Sequence, residues 1–243
     1  MKNTNPKSSF LLTLTGKGSR LEKTFEPEIS VTPGCHYEIA FTSLETYFSI
    51  PNIDSSNNTL QVSKGNDWKT ISLTTGCYGL MDLNAEIGRQ LKNIGMPKAV
   101  EFKANYNTFK CIMILKAGYS IKFTVKGSLR TVLGFEAKTY KTTRDQRFES
   151  EHTVQILTVN SILVNCDLVS GSYLNGIRAP IIHSFFPSAD PGDKILERPV
   201  QYIYLPVASD IIRHISVWLT DQDQNLLDLR EETLTIKFHL RSC

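Results

Sequence analysis

Leu234-Thr235-Ile236-Lys237-Phe238-His239-Leu240-Arg241 alternates apolar and polar side chains without a break. A period of two puts Leu234, Ile236, Phe238 and Leu240 on one face of a strand and Thr235, Lys237, His239 and Arg241 on the other. A strand with one apolar face is stable only when that face is covered and its backbone groups are paired, so this stretch must join strands from earlier in the chain. The pattern therefore predicts a closed, mainly β fold that contains the end of the sequence.

The segments upstream have the same character. Val154 to Val159, Ile162 to Leu168, Ile181 to Phe186, Val200 to Leu205 and Ile215 to Leu219 are short apolar runs separated by turn-forming loops, notably Pro187-Ser188-Ala189-Asp190-Pro191-Gly192-Asp193. Near the start, Phe10 to Thr15 precedes the turn Gly16-Lys17-Gly18, Ile29-Ser30-Val31 is closed by Pro33-Gly34, and Tyr37, Ile39 and Phe41 share one face. Residues 1–9 are polar and read as a flexible arm. These runs give about eight strands, the number in a jelly roll, so we expect a single jelly-roll β-sandwich over residues 10–53 and 138–243.

The intervening residues 54–137 read as a small α+β insertion. Leu80, Leu83, Ile87, Leu91 and Ile94 recur every three or four positions, which places them on one helical face. Asp82 and Glu86 suit the positive end of that helix and Gly95 its stop. After the helix, Phe102 and the run Phe109 to Leu115 flank a turn at Asn105 to Thr108, and Tyr119 to Val125 follows Gly118, so the helix is expected to lie on a small antiparallel sheet. Leu129, Val132 and Leu133 read as a helical turn beneath it. Residues 138–151 are polar and charged, and are expected to be a linker back to the sandwich.

Composition narrows the function classes. The chain has 243 residues, 41% of them hydrophobic, with 27 Lys and Arg against 24 Asp and Glu. A net charge of +3 does not suit a dedicated nucleic-acid binder. The five cysteines, Cys35, Cys77, Cys111, Cys166 and Cys243, are scattered and are expected to be reduced. Met1 to Ser9 lacks the apolar segment of a secretory signal and no run is long enough to span a bilayer, so synthesis in the cytoplasm or nucleus and no membrane association are expected.

Few residues carry the spacing that chemistry needs. Asp221, Asp223 and Asn225, with Glu232 twelfth in the count, imitate a calcium loop, but the sixth position needs Gly and holds Leu226, and the flanks are strands. A polar hairpin loop is the preferred reading. The five histidines and the cysteines form no metal-binding pair spacing, and Gly16-Lys17-Gly18-Ser19 lacks the glycine spacing and following helix of a phosphate loop. No catalytic residue, metal ligand or cofactor site is assigned, and the chain is expected not to be an enzyme. Lys122, Lys126, Arg130, Lys138, Lys141, Arg144 and Arg147 against Glu136 and Asp145 make a basic stretch whose preferred reading is a solvated face.

Several stretches together resemble a family. Val164-Asn165-Cys166-Asp167-Leu168, Phe185-Phe186-Pro187, Pro199-Val200-Gln201-Tyr202-Ile203-Tyr204-Leu205-Pro206-Val207 and Asp228-Leu229-Arg230-Glu231-Glu232-Thr233-Leu234-Thr235-Ile236 resemble the minor capsid, or penton, proteins of Polinton/Maverick elements and adintoviruses, and more distantly virophage pentons. The insertion, from Tyr78-Gly79-Leu80 to Leu133-Gly134-Phe135, resembles one found in such proteins. One departure is the absence of a Gly expected near Glu231 in the Asp-Leu-Arg run.

The resemblance implies a jelly-roll subunit that forms a homopentamer, closes the five-fold vertices of an icosahedral capsid, and contacts a double-jelly-roll major capsid protein in the virion. It also implies that the sandwich sits in the shell, the insertion projects from it, and contact with packaged DNA is weak. Subunit contacts are expected from the loops of residues 171–199 and the C-terminal strand edges, with Phe185, Phe186, Tyr202 and Tyr204 as interface residues. The alternative is a carbohydrate- or receptor-binding, lectin-like β-sandwich.

Overall fold

A computed structural model of the protein describes residues 8–30, 36–156, 158–207 and 211–242. The chain divides into two compact units, Met1–Ile50 with Val159–Cys243, and Pro51–Thr158. The first opens with β1 (Ser9–Lys17), β2 (Arg20–Ser30) and β3 (Tyr37–Tyr47). The second contains β4 (Thr59–Lys64), β5 (Asp67–Ser72), helix α1 (Leu80–Asn93), β6 (Val100–Asn105), β7 (Lys110–Leu115), β8 (Tyr119–Lys122), helix α2 (Arg130–Leu133), β9 (Thr139–Lys141) and β10 (Gln146–Thr153). The first unit resumes with β11 (Ile162–Cys166), β12 (Tyr173–Leu174), β13 (Ile177–Arg178), β14 (Ile181–Phe185), β15 (Lys194–Glu197), β16 (Leu205–Pro206), β17 (Ile211–Thr220) and β18 (Thr233–Ser242).

In the first unit the strand orders are β1-β18-β3-β15 and β14-β11-β17-β2, with every neighbouring pair antiparallel. Four of these pairs are nested along the chain: β1 with β18, β2 with β17, β3 with β15, and β11 with β14. That is one long hairpin rolled into a two-sheet sandwich, a jelly roll. The C-terminal alternation seats as expected, since Leu234, Ile236, Phe238 and Leu240 are fully buried and the residues between them are half-buried on the other face. At about 1.5–3 kcal/mol for each buried large apolar side chain, a one-residue slip that exposed all four is prohibitive.

The second unit has its own core. Its sheets run β5-β4-β8-β9 and β10-β7-β6. Helix α1 buries Leu83, Ile87 and Leu91, as its spacing predicts, and its Asn84 Oδ1 accepts a hydrogen bond from the Phe102 amide of β6 at 2.7 Å. The helix thereby covers a donor on an edge strand. At the far end Lys69 Nζ donates to the Ile94 carbonyl at 3.0 Å, which satisfies one of the helix's last acceptors. Gly134 ends α2 at φ +77°, and a Cβ there would lie 2.3 Å from the His152 carbonyl oxygen, so no other residue fits.

Three expectations need correction. Residues 138–151 are not a linker, because β9 pairs with β8 and β10 with β7, and the second unit runs on to Thr158. The stretch has few apolar residues, yet Tyr140 is buried and Phe148 packs on the same core, while Tyr140 Oη donates to both Glu151 carboxylate oxygens at 2.9 Å. Secondly, Val154 to Val159 forms no strand among the described residues; Val154 and Ile156 pack as irregular backbone on the second core. Thirdly, Val200 to Leu205 supplies only Leu205, the first residue of the two-residue β16, and Val200, Tyr202 and Ile203 are exposed. Of the flexible arm expected over 1–9, residues 1–7 lie outside the described residues and Ser9 already belongs to β1. Val31, Pro33, Gly34, Cys35 and Cys243 also lie outside them.

Candidate assembly edges

The sandwich has two unlike edges, built from different parts of the chain. Edge strands β14 and β15 are tied by His183 Nε2 and Glu197 Oε1 at 2.9 Å, and the His183 ring stacks on Phe41 with centroids 4.4 Å apart. Beside them a cleft of about 300 Å³ is lined by Phe185, Phe186, Ile195 and Leu196 among others. Phe186 is 58% exposed and Leu196 52% exposed, so this edge shows bulky apolar surface that the fold itself leaves uncovered. Lys194 donates to Glu45 at 2.8 Å, and this hydrogen bond holds the Glu45 carboxyl below the usual carboxylate range.

Strands β1 and β2 terminate the two sheets at the other edge. Its β2 is charged, with Arg20, Glu22, Lys23, Glu26 and Glu28 exposed and Arg20 paired to Glu22 at 2.9 Å. Charges and Pro27 on an edge strand discourage unspecific strand pairing. Phe10 and Leu11 on β1 add exposed apolar area.

The four expected interface residues divide into two pairs. Phe186 and Tyr202 are exposed, the latter by 54%. Phe185 is half-buried against the sandwich core, and Tyr204 is engaged by β18. The Arg241 guanidinium lies 3.4 Å from the Tyr204 ring centroid, Tyr204 Oη and His239 Nδ1 are hydrogen-bonded at 2.7 Å, and Arg241 also pairs with Glu38 at 2.9 Å. Tyr204 and Phe185 therefore stabilise the fold within one chain. A further exposed element was missed: β12 and β13 form a hairpin about Asn175 and Gly176, both at positive φ, which exposes Tyr173 and Ile177. Asn-Gly between apolar residues is a strong hairpin signal and could have revealed it.

The other candidate chemistries resolve into local structure. Asp221 Oδ1 accepts hydrogen bonds from the amides of Asp223 (2.9 Å) and Asn225 (2.8 Å), and its Oδ2 accepts from Asn225 Nδ2 at 3.0 Å, so the carboxylate organises its own turn. Among the described residues no three His, Cys, Asp or Glu side chains are grouped to hold a metal ion. Burial pushes the thiols of Cys111 and Cys166 up to about 12, so both stay protonated and unreactive at neutral pH. In the basic stretch Lys122 lies over the Trp68 ring at 4.6 Å and Lys138 pairs with Glu136 and Glu151. Among the described residues Lys126, Arg130, Lys141, Arg144 and Arg147 form no ion pair. The structure has no helix long and apolar enough to cross a membrane among those residues.

No protein-family model and no curated protein sequence matches the chain. Among solved structures, the selenomethionine-labelled mavirus penton protein matches with a TM-score of 0.53 at 12% identity, over 97% of this chain and 100% of that one. This chain has the fold of a virophage penton protein. The coverage takes in the sandwich and the inserted unit together.

Proposed function

We propose that the chain is a structural protein of an icosahedral capsid, a penton-type subunit of the Polinton/Maverick and adintovirus kind. The observation that carries this reading is the full-length likeness to the mavirus penton protein, over both the sandwich and its insertion. Five copies join head to tail at a five-fold vertex of the virion, and the ring is held in a shell of double-jelly-roll major capsid protein. A rotationally closed ring requires each subunit to offer two different, complementary surfaces. The edge at β14 and β15, with Phe186 and Leu196, and the edge at β1 and β2, with Phe10, Leu11 and the β2 charges, are such a pair. Tyr202 and Ile203 extend the first. The cations without ion-pair partners in the inserted unit serve any contact with packaged DNA, which is non-specific and weakens with salt.

The test is Phe186→Ser combined with Leu196→Ser. Both side chains are exposed, so the variant folds with an unchanged circular dichroism spectrum, while the pentamer is lost in sedimentation. A variant that folds and still forms pentamers removes this edge from the ring contact.

A further inference from the structure

The inserted unit carries a groove of about 710 Å³ that its own fold does not explain. One wall is the α1 stripe Asn84, Gly88 and Lys92, spaced four residues apart, and the other includes Val100, Ile114 and Lys116. Gly88 lies in the interior of a 14-residue helix, where glycine is less favourable than alanine. No atom stands within 4 Å of the Cβ it lacks, so packing inside the chain does not require a glycine there. What the missing side chain provides is open floor, flanked by apolar Val100 and Ile114. The rim is cationic. Lys92 and Lys98 are exposed and form no ion pair among the described residues, Lys116 is paired with Asp145 at 2.6 Å, and the one carboxylate of the lining, Glu101, is taken by Lys103 at 3.1 Å.

We infer that this groove docks a partner protein through an acidic segment that bears an apolar side chain. The apolar side chain enters over Gly88, where the absent Cβ lets a second main chain come close, and the carboxylates face Lys92 and Lys98. The Val100 and Ile114 side chains offer no hydrogen bonds and the Asn84 Oδ1 acceptor is taken by the Phe102 amide, so the floor suits an aliphatic group better than a sugar. The inference does not depend on the ring contacts proposed for the sandwich edges.

The test uses the full-length chain and a dye-labelled peptide with the sequence of residues 221–232, Asp-Gln-Asp-Gln-Asn-Leu-Leu-Asp-Leu-Arg-Glu-Glu, as an acidic, leucine-bearing probe. Fluorescence anisotropy is expected to show saturable binding that weakens at least tenfold in Gly88→Leu and in the double variant Lys92→Glu with Lys98→Glu. Replacing the probe's Asp and Glu by Asn and Gln is expected to weaken it equally. Gly88→Leu removes a helix-interior glycine into open space and is expected to melt no lower than the parent, which separates lost binding from lost fold. Unchanged binding in Gly88→Leu overturns the inference, as does no binding at millimolar probe. Equal binding of a leucine-free glutamate oligomer or of a DNA oligonucleotide overturns it in favour of a general anion surface. A change in the mass of the chain alone on Gly88→Leu overturns it in favour of a second copy.

Discussion

The two units reach a closed core by opposite routes. In the sandwich the largest contacts join distant parts of the sequence, as where Ser9 pairs with Arg241 and Lys17 with Thr233, so its sheets are incomplete until the last strand has arrived. The inserted unit contains more local pairings, β6 against β7 and β4 against β5, a helix that shields the edge of β6, and a polar hub around Glu151. The first is centred on apolar alternation, with buried Asn165 donating to Thr220 Oγ1 between two of its strands. The second adds hydrogen bonds that are sensitive to pH. Damage to one unit should therefore differ in kind from damage to the other.

The largest effect is expected from Phe238→Ala on the last strand. Removing a fully buried aromatic costs about 3–5 kcal/mol, and calorimetry should show the sandwich transition falling while that of the inserted unit stays in place. Equal shifts of both transitions would mean that the units unfold as one. Next comes Gly134→Ala in the inserted unit, where the new Cβ meets the His152 carbonyl at 2.3 Å on a left-handed backbone. A loss of about 2–4 kcal/mol confined to the inserted unit is expected in urea titrations, combining left-handed strain with displacement of β10.

Acid sharpens the contrast further. Burial opposes ionisation of Glu151, but hydrogen bonds from Lys138, the Glu136 amide and Tyr140 outweigh it and hold the carboxyl at about 2, against 4.5 for an ordinary glutamate. A carboxyl depressed in the folded state contributes stability that is complete above the unfolded value and is lost as pH falls through the folded one. The inserted unit should therefore weaken between about pH 5 and pH 2. Because Glu151 is partly solvated, its share of the loss is about 1–2 kcal/mol, and Glu151→Gln should reduce this pH dependence, leaving the smaller contributions of Glu86, Asp145 and Glu149. The smallest effect is expected at Glu231. It sits at φ +62° beside Arg230 at φ +51°, so Glu231→Gly should stabilise the sandwich by about 0.5 kcal/mol, as relief of left-handed strain exceeds the added chain entropy.

The same contrast governs what the sequence made legible. Leu234 to Leu240 and the three-and-four spacing from Leu83 to Leu91 were readable because one face of each is fully buried and the other is not. Strand β2 was readable only at Ile29, since an edge strand rich in exposed charge has no apolar face to betray it. Strands β9 and β10 hid for a related reason: Tyr140 and Phe148 bury, but the polar residues between them are satisfied by a network that spans β9 and β10. Val154 to Val159 and Val200 to Leu205 misled in the other direction, because apolar content without a continuous ladder of backbone pairs does not make a strand; the Val154 and Gln155 amides donate instead to the Phe109 and Val132 carbonyls. Of the four aromatic residues expected at subunit contacts, Phe186 and Tyr202 are exposed, whereas the stacking of Arg241 on Tyr204 depends on a cross-strand geometry that no local pattern encodes.

The central claim is that two unlike edges of one sandwich close a ring of five. Light scattering coupled to size exclusion, on the full-length chain in physiological salt, measures this directly. The account predicts an absolute mass five times that of the 27.4 kDa chain, falling to one chain in Phe186→Ser with Leu196→Ser. A trimer, or a monomer that persists as concentration rises, would contradict it.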